Sequence, residues 1–561
     1  MKNWKRRGLP AMCVAVALAA LSLSGCTSTA SQSAVGGPTL TTYLGGSGTF
    51  VENFNPFSPT VLGETAGMLY EPLFFINELK PLNNPAMPLL GTKYDWNKAG
   101  TQLSVTIRDG VKWSDGKPFT AADVAYTFNL KHDTPAFNTT GNAPEAKASD
   151  TTHVTLTFDR PSFADGATVL GQTAIVPEHV WKKVADPTKF VNKAPVGTGP
   201  MTLSSFTSQS YLLKKNPDYW NASKVRVGGI RVLSLSGNQA ATDRFLAGQL
   251  DWAGIFIPDI KKVLKNRSPL GYTLYGSQQV ALAACSNAEL GCTGPQTDPA
   301  VRQAIYYALN RGQVDKLAYY DNATAISPTF ALLGRDKQFI ASEYAAAAPM
   351  TPNVAKAQSI LEGAGYTKGS DGVYEKDGKK LAINVTVTSG YTDYIAALSA
   401  ITEQLKSAGI EINTQQIALN EMLNQQGLGQ FQMTITGLFQ GPAPDPYYVY
   451  QNAFSTINTK PVGQSGNPYG NVSRFSDPIV DAQLKVAASS ESSAVKAEAY
   501  KKIQRQIVPA MPYIPIINNT SGAEWSTKQV TGFPTTEDLY AQASPGAFPD
   551  NEIVLTHLEV K

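Results

Sequence analysis

Cysteine and histidine are scarce in this chain, four of each among 561 residues. His132, His153, His179 and His557 show no clustered spacing, and a zinc site needs several ligands at short intervals, so neither a metal nor a cofactor is expected. Apolar runs are equally few. Ala11–Leu21 is the longest, and no later segment is apolar enough to span a bilayer. Internal repeats are missing, and so are the common catalytic motifs. Gly466 follows Ser465 one position too early for a Gly-x-Ser-x-Gly elbow, and neither His-Glu-x-x-His nor a Walker loop occurs. Ser-x-x-Lys occurs at Ser114–Lys117 and Ser493–Lys496, without the Ser-Asp-Asn and Lys-Thr-Gly partners that its catalytic use requires. Gly197-Thr198-Gly199 has Thr202 where a dinucleotide loop needs its third glycine. A carboxylate-pair hydrolase stays open among 44 acidic residues, but the expectation is a protein that is not an enzyme.

The excess of basic charge lies at the start. Lys2, Lys5, Arg6 and Arg7 precede Ala11–Leu21, and small residues follow up to Cys26. That order describes a secretory signal peptide over residues 1–25. Leu23-Ser24-Gly25-Cys26 resembles a bacterial lipobox, which would leave Cys26 lipidated and the protein anchored to the outer face of the cytoplasmic membrane. Residues 26–38, rich in Ser, Thr, Ala and Gly, then form a flexible tether. Four of the 47 Lys and Arg and none of the 44 Asp and Glu lie in residues 1–25, so the remainder is within one charge of neutral. A nucleic-acid partner has no electrostatic basis here. Cys285 and Cys292 are the two cysteines left over, and in an oxidising compartment they are expected to close a small loop as a disulfide.

The most legible stretch runs from Leu103 to Lys131. Leu103, Val105 and Ile107 alternate with polar residues as in a half-buried strand. Asp109-Gly110 is a turn, Val111-Lys112-Trp113 a short return strand, and Asp115-Gly116 a second turn. Thr120 with Asp123 resembles a capping box before a helix that carries Val124 and Phe128 on one face.

Arg108 to Val124 resembles the oligopeptide/dipeptide-type solute-binding proteins of ABC importers, solute-binding family 5. Leu69-Tyr70-Glu71-Pro72-Leu73, Gly197-Thr198-Gly199-Pro200-Met201, Asn216-Pro217-Asp218-Tyr219-Trp220, Gly248–Asp251, Val301-Arg302-Gln303-Ala304 and Met511–Ile516 are similar to further motifs of that family. From Thr297 the pattern becomes helical: Asp298-Pro299 opens one helix and Thr351-Pro352 a second. Ile383–Thr388, a helix Asp393–Ser407 facing inward through Ile395, Leu398, Thr402 and Leu405, and Ile410–Ile417 make a β-α-β unit.

The resemblance implies an α/β, two-lobed periplasmic-binding-protein fold of the cluster C type, with the ligand between the lobes. The first lobe would span 39–280 with a subdomain inserted at about 76–195, the second 281–520, and 521–561 would return to the first. It further implies a monomer working with an ABC permease and ATPase. Peptide-binding members hold the peptide's amine with an acidic residue shortly before an acidic-Pro step. Here Asp445-Pro446 matches the step, but Leu438–Pro444 offers no carboxylate; Asp445 substitutes, or the ligand has no amine there. Asn53-Phe54-Asn55-Pro56-Phe57, Ile175–Trp181 and Gly390-Tyr391-Thr392-Asp393-Tyr394 resemble the branch that binds cellobiose-type oligosaccharides, where aromatic faces stack on sugars. The expected cleft residues are Asn53, Phe54, Asn55, Trp252, Tyr391, Gln440, Asp445, Tyr447 and Trp525, with Trp252 and Trp525 placed at the lobe junction. A short oligopeptide is the first expectation, an oligosaccharide the alternative, and a surface sensor or adhesion module on the same fold the alternative of another class.

Overall fold

The computed structural model describes residues 36–44, 49–58, 60–138 and 143–561, without the side chains of Ser277 and Asn420; Cys26 and most of the tether lie outside the described residues. A ten-stranded sheet connects the two lobes. In spatial order it comprises Glu411–Ile417, Ala382–Thr388, Met433–Phe439, Leu270–Ala284, Tyr513–Ser526, Trp252–Ala253, Thr39–Tyr43, Gly229–Leu233, Ser210–Lys215 and Met201–Phe206. The two long central strands pair antiparallel from Leu270 opposite Ser526 to Ala283 opposite Tyr513, with register shifts between Gly276 and Gln278 and between Val280 and Ala281. One end of this ladder borders first-lobe strands, where Trp252 pairs with Trp525, and the other borders Met433–Phe439 from Gln278 onward. The boundaries at 280 and 520 therefore fall inside strands that both lobes share.

In the first lobe, Thr39–Tyr43 lies parallel between Gly229–Leu233 and Trp252–Ala253. Its core includes Leu40, Phe54, Tyr70, Trp181, Leu213 and Trp252. A separate four-stranded sheet, ordered Gly91–Trp96, Gln102–Ile107, His153–Thr157 and Glu145–Ala148, carries its own core. Leu103, Val105 and Ile107 all point into it, as does the Val124 and Phe128 face of helix Ala121–Asp133. The Asp123 carboxylate accepts from the Thr120 N–H at 2.9 Å and from the Glu178 N–H at 3.0 Å, so the residue that caps the helix also ties down the next segment. Residues 111–113 form no strand; a single bridge from Lys112 to Pro118 closes the turn instead. Gly197 and Gly199 are required by crowding, since a Cβ at Gly197 would lie 1.8 Å from the Leu69 carbonyl oxygen.

The second lobe holds the parallel pair Ala382–Thr388 and Glu411–Ile417, joined through helix Thr392–Ser407. The buried stripe of that helix is Tyr394, Ala397, Leu398, Ile401 and Leu405. Ile395 and Thr402 are half-buried: the large Tyr394 ring turns inward and rotates the face by about one residue. Asp298 accepts from the Ala300 N–H at 2.8 Å and starts helix Pro299–Ala308. A disulfide joins Cys285 and Cys292. Helix Asp550–His557 packs back on the first lobe through Ile553, Val554 and Leu555.

Trp252 does not face a cleft. It is fully buried, its Nε1–H donates to the Ala543 carbonyl at 2.6 Å, and its ring meets Phe533. Trp525 stacks on the same Phe533 at 10° and donates to Thr273 Oγ1 at 2.9 Å. Both tryptophans thus pack the first lobe, because Phe533 supplies an apolar surface for each ring. Trp252→Ala is expected to destabilise this lobe by about 3–5 kcal/mol, visible as a lowered melting temperature; unchanged melting would contradict its place in the core.

Candidate functional site

Where the long strands pass from one lobe to the other, a cavity of about 740 Å³ opens between them. First-lobe segments contribute Glu78, Tyr275, Gln542 and Phe548, and second-lobe segments contribute Gln279, Gln440, Arg335 and Asn518. Gln279 and Asn518 sit on the two crossing strands, and Gln440 directly follows Met433–Phe439. Two glycines make this convergence possible. A Cβ at Gly276 would come within 2.4 Å of Asn518 Nδ2, and Gly441, at φ +92°, turns the chain where a Cβ would meet Tyr448 at 2.1 Å. Asn518 is held by paired backbone bonds to Thr324 and by Nδ2–H donation to Thr324 Oγ1 at 2.9 Å.

The cavity is acidic on its first-lobe side. Glu78 Oε2 accepts from Gln542 at 3.1 Å and Oε1 from Gln172 at 3.5 Å. Burial, reinforced by the Asp550 charge, pushes the Glu78 carboxyl up to about 8. Burial also lifts Asp550 to about 7 and Glu524 to about 8. Arg335 forms a two-pronged ion pair with Asp336, at 2.7 and 2.8 Å, and donates to the Glu78 backbone carbonyl at 3.1 Å. A second cavity of about 340 Å³ shares Gln172, Phe439 and Gly441 with the first. Lys131 lines it with Thr173 Oγ1 at 3.2 Å, and burial pulls its ammonium down to about 8. Phe439, 63% exposed, borders both cavities.

Of the expected cleft residues, Gln440 lines the first cavity and Tyr447 the second. The others go elsewhere. Asn53 and Asn55 pin a loop: Asn53 bonds Ser58 and Thr60, and Asn55 bonds the carbonyls of Pro187 and Phe190. Phe54 is fully buried, edge-on to Phe206 and Tyr211. Tyr391 is 44% exposed at a helix start against Tyr394, and lines neither cavity. Asp445 is not free to anchor an amine. It is 3% exposed, paired with Lys496 Nζ at 2.8 Å, and accepts from the Tyr500 hydroxyl and the Tyr447 N–H. Glu78, Gln542, Arg335 and Asn518 were not expected; they come from four segments, none with a distinguishing local pattern.

The motif residues build a junction instead. Trp220 donates to Glu71 Oε1 at 2.7 Å, Arg108 lies 3.7 Å over the Trp220 ring, and Tyr219 donates to Glu552 Oε1 at 2.8 Å. Burial raises Glu71 to about 7 and Glu552 well above its usual range. Among the described residues, no helix is long and apolar enough to cross a membrane, and no three His, Cys, Asp or Glu side chains are grouped to hold a metal.

Residues 86–460 match the family described as bacterial extracellular solute-binding proteins, family 5, middle. Protein XP55 of Streptomyces lividans is 28% identical over 445 residues, 77% of this chain and 74% of that protein. The oligopeptide-binding protein AppA of Bacillus subtilis is 25% identical over 434 residues, 74% of this chain and 75% of AppA. A periplasmic oligopeptide-binding protein of an ABC transporter from Thermotoga maritima superposes with a TM-score of 0.83 at 24% identity, over 93% of this chain and 99% of that one. With mannohexaose bound, the Thermotoga protein superposes at 0.77. The shared fold is the two-lobed α/β periplasmic-binding-protein fold.

Two outcomes test this geometry. Lys496→Met would strand the buried Asp445 carboxylate and cost about 3–5 kcal/mol, read from the melting temperature; unchanged melting would free Asp445 for other duties. The buried acids Glu71, Glu78, Glu524 and Asp550 bind protons more tightly folded than unfolded. Their stabilisation is therefore complete below about pH 4.5 and is lost as pH rises through about 7–8. The melting temperature should fall between pH 5 and pH 8 and fall less in Glu524→Gln; a rise over that range would contradict the protonated state of these groups.

Proposed function

We propose that this chain, which belongs to the bacterial extracellular solute-binding proteins of family 5, captures a short oligopeptide between its lobes and delivers it to the permease of an ABC importer. The single observation that carries this reading is a cavity walled from both lobes at the strand crossover, lined by amides and a carboxylate more than by rings. Ligand contacts made to both walls at once favour the closed arrangement of the lobes over the open one. Its volume of about 740 Å³ suits a short ligand, since such sites run to about 300–1,000 Å³. Micromolar capture requires about −8 kcal/mol, within reach of a few directed hydrogen bonds and partial burial of Phe439.

An oligosaccharide is the second reading, supported by the mannohexaose-bound Thermotoga neighbour. Of the rings expected to stack on a sugar, Phe54 and Trp252 lie in the first-lobe core and Trp525 stacks on Phe533, so that this reading rests on Tyr275, Phe439 and Phe548 at the first cavity and Tyr447 at the second. The proposal also includes export, lipidation at Cys26, action as a monomer, and no catalysis.

Deleting the gene should abolish uptake of labelled tri- to pentapeptides while leaving mannohexaose uptake intact. Normal peptide uptake would refute the importer role and favour a sensor on the same fold. Cys26→Ala should move the protein from the membrane fraction to the soluble fraction; retention in the membrane would refute the lipid anchor.

A further inference from the structure

The second cavity, like the first, is walled from both lobes. Lys131, in the last turn of helix Ala121–Asp133, and Thr173 line it from the side of the inserted sheet. Tyr447, Tyr448 and Gln451, on helix Tyr447–Phe454, line it from the second lobe. The Tyr448 hydroxyl donates to the Ala164 carbonyl at 2.5 Å, which joins the two walls directly. Gln172, Phe439 and Gly441 belong to both cavities, so the second, about 340 Å³ against about 740 Å³, opens beside the first. It lies at the small end of the range for ligand sites and suits one side chain of a ligand whose main chain follows the strand crossover.

Lys131 gives this side chamber its chemistry. It is half-buried and reaches the cavity surface. Thr173 Oγ1 accepts from Nζ at 3.2 Å and donates its own hydrogen to the Thr168 carbonyl at 3.3 Å, which turns a lone pair toward the ammonium. One of three N–H donors is thereby used, and among the described residues Lys131 forms no ion pair. A helix end favours a cation but supplies no counterion. Arg160 and Asp165 are the other charged residues that line the cavity. Both act on Tyr447, whereas burial alone acts on Lys131. One acid therefore faces two bases, and Lys131 is the base left over. A neutral hydroxyl or amide would accept from the ammonium and leave its charge unpaired; a carboxylate answers both needs.

We propose that the second cavity receives an acidic side chain of the ligand, whose carboxylate pairs with the Lys131 ammonium, so that Lys131 sets specificity. The inference rests on the peptide reading above and narrows it to peptides that carry Asp or Glu. A side chain lodged here touches walls from both lobes and adds to the preference for the closed arrangement.

The test uses the exported chain stripped of bound ligand by denaturation and refolding, at pH 7, where the ammonium stays mostly charged. A pool of synthetic tri- to pentapeptides with one Asp or Glu, amidated at the C-terminus so that the side chain holds the sole carboxylate, competes with the matching Asn or Gln pool. Captured peptides are identified by mass spectrometry. The acidic pool should be preferred by about tenfold or more, and Lys131→Gln should erase the preference. Equal capture of the two pools, or a preference that survives Lys131→Gln, overturns the site while leaving peptide capture in place. A Lys131-dependent preference for a free C-terminus over the amide, with Glu and Gln captured alike, assigns the carboxylate to the chain end and overturns the side-chain role. Capture of neither pool, amidated or with a free C-terminus, overturns the peptide reading and the site with it. Should Lys131→Gln fail to fold, Thr173→Val, which removes the hydroxyl that positions the ammonium, should lower the preference several-fold; an unchanged preference overturns the proposal.

Discussion

The antiparallel ladder of Leu270–Ala284 and Tyr513–Ser526 is the constraint on which the molecule depends. Both lobes extend their sheets from it, so neither can shift register without the other. A shared ladder fixes the position of each residue along the crossing while its irregularities, between Gly276 and Gln278 and between Val280 and Ala281, give the pair places to bend. Gln279 and Asn518 come from opposite strands of this ladder, and the cavity lies against it. Fold and site are thus one piece of geometry: the residues that hold the lobes in register also form the wall against which a ligand rests.

Buried polar groups tie distant segments of the chain together. At Glu71, Trp220, Arg108, Tyr219 and Glu552 one oxygen of each carboxyl takes an indole or phenol donor, and the set joins the inserted sheet, the first lobe and the C-terminal helix. Asp445, Lys496 and Tyr500 form a second closed set. Around Glu78 the carboxyl accepts from Gln542 and Gln172, and Arg335 donates to the backbone carbonyl of the same residue.

Burial on one face explains what could be read from the chain alone. The strand at Leu103–Ile107 and the helix at Val124 and Phe128 were legible because alternation and helical spacing are set by burial on one face. The β-α-β unit was legible for the same reason, although the stripe of Thr392–Ser407 shifted once Tyr394 turned inward. The site was mostly hidden. A tryptophan opening a strand has the same local sequence whether it meets a ligand or Phe533, so Trp252 and Trp525 were placed in the cleft. Asp445 looked available because Lys496 and Tyr500, one helical turn apart on Ser493–Ala510, approach it from about fifty residues away. Gln440, expected from its place in the stretch before the Asp-Pro step, lines the first cavity. Glu78, Gln542 and Asn518 line one cavity from separate segments, a convergence that no local period records.

Capture of a short peptide between the lobes is best examined on the ligand the protein selects for itself. Residues 27–561 purified under native conditions, then denatured, should release short peptides of mixed sequence, about three to five residues long, identifiable by mass spectrometry. Hexose-spaced oligomers released in their place would contradict the peptide account and require the carboxyl and amide cluster at the crossover to read sugar hydroxyls.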